Sequence, residues 1–155
     1  MRGILLASLA ALSLHVAAAD NVKDAKAKLH EYFETFNKND IHKVTTEIYS
    51  TPLHTGFGSN HGVLATPAEA FESLDEFRKQ ISSEGWVKFR IDDVQTCELS
   101  DTLVLLDTHY TGIYKEGSDN PGTSSTLMYV LQKIDDNWRI IAYYGHDHDK
   151  RPTCG

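Results

Sequence analysis

The chain has 155 residues, enough for one domain with a hydrophobic core of its own. Apolar and charged fractions of 41% and 24% exclude the disordered and fibrous classes. With 15 Lys and Arg against 22 Asp and Glu, and no basic stripe interleaved with aromatics, neither a nucleic acid nor an anionic membrane is an expected partner.

The first segment differs in kind from the rest. Arg2 precedes an apolar run from Ile4 to Val16, and Ala17-Ala18-Ala19 supplies small residues before Asp20. The run is shorter than the ~20 residues of a bilayer span. It reads as a cleaved secretory leader over residues 1–19, with an uncleaved anchor or a buried first helix as the rival reading. A secreted or periplasmic protein follows, with a domain over 20–147 and a tail over 148–155.

From Val22 to Asn37 the residues Val22, Ala25, Leu29, Tyr32, Phe33 and Phe36 share a helical stripe. Asn39-Asp40 breaks it, and Asp40 can cap a short second helix carrying Ile41, Val44 and Ile48. Tyr49 to Phe57 reads as a short extended segment, and Gly58 to Gly62 as a loop. Thr66-Pro67-Ala68-Glu69 has the form of a helix start with a capping box, and Gly85 ends that helix. Four strand-like runs follow: Trp86 to Leu99, with a change of phase at Asp92-Asp93, then Thr102 to Tyr114, Thr123 to Ile134 and Trp138 to Tyr144. The short turns between them imply antiparallel neighbours. Helices laid on one face of a bent sheet make an α+β domain.

Cys97 and Cys154 are the only cysteines. In an oxidising compartment they permit one disulfide between the body and the tail; two unpaired thiols are the alternative. One such pair has no zinc-ligand spacing.

The order of elements, with Phe33 to Asp40, Tyr49-Ser50-Thr51-Pro52 and Asp136-Asn137-Trp138-Arg139-Ile140, resembles the NTF2-like superfamily and its SnoaL-like branch. The resemblance covers about Val22 to Asp147. It implies a cone, a curved, antiparallel-rich sheet wrapped over three N-terminal helices around a pocket. It also implies a homodimer formed through the outer face of the sheet. Members of the superfamily include ketosteroid isomerases, scytalone dehydratase, limonene epoxide hydrolase, polyketide cyclases and non-catalytic modules, so the site has to be argued from its own residues. The isomerase base is missing, because Leu53 to Gly58 contains no carboxylate. The Asp-Arg-Asp cluster of the epoxide hydrolase is not matched either, since Asp107 has no inward arginine.

The candidate site is therefore built from histidine and tyrosine. His54, Tyr129, His146 and Asp147 are the candidate catalytic residues: histidines to move protons, the carboxylate to hold a tautomer, the phenol to donate to an oxyanion. Tyr49, Asp107, His109 and Tyr110 are the candidate ligand-binding residues. Asp107 and His109 share one face of their strand, and Tyr110 and Tyr114 take the other. The bland alternatives are packed strand tyrosines, a solvated Asp107–His109 pair on the dimer face, and a strand-end His146-Asp147. A metal on His146 and His148 is a further alternative, against a solvated tail. No phosphate loop, nucleophile elbow or zinc helix motif occurs, so no cofactor is implied. The reading is an exported protein holding a small, largely apolar molecule, as an isomerase, dehydratase or cyclase, or else a non-catalytic binding or dimerisation module.

Overall fold

A computed structural model describes the backbone of residues 9–154 and the side chains of residues 20–154. The leader expected over residues 1–19 lies outside the residues whose side chains are described. No described helix is long and apolar enough to cross a membrane.

The first helix, α1, spans Leu9–Asn37. Ala25, Leu29, Phe33 and Phe36 of its predicted stripe are buried, with Ala25 and Leu29 at 0% exposure, and Val22 and Tyr32 are partly buried. After Asn39, at a φ of 66°, Asp40 caps α2 (Ile41–Lys43) by accepting the Lys43 N–H at 3.1 Å. The chain continues through a π-helical turn (Val44–Ile48) that buries Val44 and Ile48. Then follow β1 (Tyr49–Phe57), β2 (Asn60–Leu64), α3 (Pro67–Ser83), β3 (Trp86–Ser100), β4 (Leu103–Tyr114), β5 (Ser124–Ile134) and β6 (Asn137–Gly145).

The strands form one six-stranded curved sheet in the order β2-β1-β6-β5-β4-β3. Every neighbouring pair is antiparallel except β1 with β6. The loop expected at Gly58 to Gly62 is in fact largely strand β2, which pairs with β1 from Phe57↔Asn60 to Leu53↔Leu64. Its residues are mostly exposed, so it shows none of the alternation that marks a half-buried strand. The register shift expected near Asp92-Asp93 is present between Ile91 and Asp93. The tight turn joining β5 to β6 puts Asp135 and Asp136 at φ of 48° and 61°, as a two-residue hairpin requires.

The three helices cover the inner face of the sheet. Phe36, Leu29 and Ile48 from the helical layer meet Leu106, Tyr129 and Ile140 from the strands in the core. Asn37 ties the end of α1 to β3: its side-chain amide donates to Phe89 O and its carbonyl accepts Phe89 N–H, both at 2.9 Å.

The tail does not hang free. Cys154 is disulfide-bonded to Cys97 on β3, with a Cα–Cα distance of 5.4 Å, within the usual range for a bridge. Gln95 donates to Pro152 O at 3.2 Å, so the tail is strapped across the outer face of β3 and β4.

Candidate functional site

Between the helices and the inner sheet face lies a cavity of about 440 Å³. Its walls are aromatic: Tyr32, Phe33 and Phe36 come from α1, and Phe77 comes from α3. The sheet adds Phe57, Phe89, Tyr110, Tyr114, Tyr129 and Tyr143. Among the described residues the other polar groups in the lining are the hydroxyls of Ser73, Thr123 and Ser125, and none of these residues brings a carboxylate, imidazole or cationic group. Tyr32 meets Tyr129 tilted at 5.7 Å and Phe33 meets Tyr110 edge-on at 5.5 Å between centroids, while Phe89 stacks on Phe36 and Phe77 at 5.7 Å and 6.4 Å.

Register places these rings. Tyr129 and Tyr143 are cross-strand partners, and Tyr110 pairs with Ser125. Strict alternation from the buried Trp138 and Ile140 would send Tyr143 to the outer face. An irregularity leaves Ile141 extra between the Leu131↔Ile140 and Val130↔Ala142 pairs and turns Tyr143 inward.

Burial, the largest cause in each case, raises the phenols of Tyr32, Tyr49, Tyr110 and Tyr129 above their ordinary range and pushes Tyr143 up to about 12. These groups are neutral near pH 7 and act as hydrogen-bond donors, not as bases. Tyr49 sits behind the cavity wall, 2% exposed and 5.5 Å from the Tyr32 ring. The Tyr32 hydroxyl is near enough to influence its ionisation, yet the Tyr49 hydroxyl is buried without a partner of good hydrogen-bond geometry.

A second cluster lies on the outer face. Asp107, 1% exposed, receives His146 Nε2 on Oδ1 and Arg151 Nε on Oδ2, each at 2.7 Å. Arg151 also reaches Asp93 at 2.6 Å. His146 Nδ1 is 2.9 Å from the Asp147 carbonyl, so both ring nitrogens face oxygen atoms. Thr126 Oγ1 donates to His146 O at 2.6 Å. His109 and His148 are 4.2 Å apart between ring centroids. Among the described residues no group of three or more metal-ligating side chains is arranged to hold an ion.

The sequence-derived candidates thus divide. Tyr129 and Tyr110 line the cavity, with Tyr49 packed behind them. His54 does not reach it: β1 turns Leu53 and Phe57 inward, and His54 is exposed beside His61, Val63 and Tyr144. Asp107 and His109 do share a face, opposite Tyr110, but Asp107 is bound up with the tail instead of lying solvated. His146 is fixed by Asp107, and Asp147 is exposed and paired with Lys150 at 2.6 Å. Tyr32, Tyr143 and Arg151 were not anticipated. The α1 stripe already contained Tyr32, whereas nothing local marked Arg151.

The family described as NTF2-like protein (DUF6841) matches residues 23–148. An NTF2-like protein with a cystatin-like fold from Novosphingobium aromaticivorans superposes with a TM-score of 0.74 at 9% identity, over 95% of this chain and 94% of that one. An NTF-2 like protein of unknown function from Shewanella oneidensis gives 0.58 at 17% identity, over 81% and 98%. Aln2 from a Streptomyces species gives 0.66 at 10%, over 81% and 89%. Identities this low show shared fold alone. No curated protein matches the chain. Cone, cavity and matched residues agree, and the chain belongs to the NTF2-like family.

Proposed function

We propose that this is an exported, SnoaL-like pocket protein that holds one small, largely apolar, ring-bearing molecule in its cone cavity without converting it. The observation that carries this reading is the lining itself: five Phe and five Tyr side chains among sixteen residues, with phenols kept neutral by burial. Such a surface grips a flat apolar body by ring contacts and donates to an acceptor atom on it. Among the candidate catalytic residues only Tyr129 lines this space, and a neutral phenol by itself has no base to work with. Export is supported by the leader pattern and by the Cys97–Cys154 bridge, since disulfides persist in oxidising compartments. A homodimer, which the resemblance implies, would use the outer-face area the tail leaves open, around Met128, Val130 and Tyr144.

The test uses 1-aminoanthracene, a fluorophore that brightens in apolar cavities. Saturable binding at one site per chain is expected, lost in Ser73→Trp, which plugs the mouth from exposed α3 surface, with the melting temperature unchanged. Equal binding by that variant, or none by the native protein, would overturn the reading.

A further inference from the structure

A second hollow adjoins the cone cavity and shares four of its walls, Phe57, Tyr110, Ser125 and Leu127. It also measures about 440 Å³, but its chemistry differs. Its other walls are Gly58 after β1, Ser124 and Thr126 at the start of β5, and the stretch from Gly145 to His148 where β6 passes into the tail. An aromatic chamber therefore abuts one edged with hydroxyls and imidazoles.

The polar wall is held in place from the outside. Thr126 holds the His146 backbone, Asp107 holds its ring, and Arg151 and the disulfide anchor the tail beyond it. His148 lies against His109. Groups fixed before a ligand arrives lose little freedom when they bind one. The fixed charges around this edge already have partners, Arg151 with Asp107 and Asp93, and Asp147 with Lys150. An ionised ligand end would give up its hydration here without gaining a free counter-charge, whereas a hydroxyl or carbonyl needs only hydrogen-bond partners.

We propose that the hollow is the polar end of the same binding site. The ligand is an elongated, uncharged amphipath, with its ring system in the aromatic cavity and a hydroxyl or carbonyl end meeting Ser124, Ser125 and His148. This rests on the reading of the cavity given above.

Competition against 1-aminoanthracene tests it with three probes that differ at one end: 1-butylnaphthalene, 4-(1-naphthyl)butan-1-ol and 4-(1-naphthyl)butanoate. The alcohol is expected to displace the fluorophore at about tenfold lower concentration than the hydrocarbon, the worth of one net hydrogen bond, and the carboxylate to be weaker than the alcohol. In Ser124→Ala/His148→Ala the advantage of the alcohol falls below about threefold while the hydrocarbon is unaffected. Equal displacement by alcohol and hydrocarbon, strongest displacement by the carboxylate, or equal weakening of both neutral probes in the variant would each overturn the proposal and leave the cavity reading standing. Failure of 1-aminoanthracene itself to bind would bring down both.

Discussion

Asp107 is a buried carboxylate that would be very costly without partners, and it has two, His146 just beyond β6 and Arg151 in the tail. Its neighbour His109 is in the opposite position: Nε2 is buried without a hydrogen-bond partner. The His109 pKa lies below its usual 6.5, first because of burial, then because of Arg151 and His148, with Asp107 and Asp93 opposing. The folded protein therefore prefers the neutral ring. That contribution to stability is complete above pH 6.5 and is lost as the pH falls from there through the lowered folded value. A declining melting temperature on acidification through this window is expected, and His109→Gln should flatten it in a differential scanning series. An unchanged slope would show that His109 does not couple to folding. Asp93, depressed chiefly by its Arg151 hydrogen bond, acts in a separate window below the ordinary carboxylate range. Period-two spacing made the Asp107–His109 juxtaposition legible in the sequence. Arg151, 44 positions from Asp107, was beyond any local pattern.

At the scale of elements, the helix caps follow from sequence with one departure. Thr66 Oγ1 accepts the Glu69 N–H at 3.2 Å, but the Glu69 carboxylate reaches back to the Ala65 N–H at 2.8 Å, one residue before the expected partner. The orphan donors of the first turn are still served. More consequential is Asn37, which bonds both backbone groups of Phe89 and so fixes the end of α1, with Phe33 and Phe36, against β3. Asn37→Ala leaves those groups to find water at a half-buried seam. A loss of about 1–3 kcal/mol in the urea midpoint analysis is expected. A change within error would mean that the α1–β3 seam is held by ring packing alone.

For the whole molecule, the sheet is a divider. Its inner face makes the aromatic cavity, and its outer face carries the C-terminal tail. The Cys97–Cys154 link closes a separation of 57 residues and restricts the unfolded chain. Cys154→Ser is expected to lower stability by about 2–4 kcal/mol, and Cys97→Ser/Cys154→Ser by no more than that. Equal unfolding midpoints for native and single variant would contradict a tail that is fastened in solution.

Sequence reading was enough for the order of the helices and of every strand but β2, for the stripe of α1, the cap at Asp40, the turn at Asp135-Asp136 and the family, because these rest on local periodicity and on turn chemistry. Tertiary structure decided where the candidate residues point. His54 faces outward and Tyr143 inward through the pairing of β1, β6 and β5 and the extra residue at Ile141. A shift of one residue in a strand exchanges its two faces, so no sequence window fixes which side chains share a cavity. The tail was placed by contacts 44 to 58 residues distant, Asp107 to Arg151, Cys97 to Cys154 and Asp93 to Arg151 among them. Those contacts exist only after the sheet has formed, which is why a segment that reads as solvated becomes a wall of the proposed site.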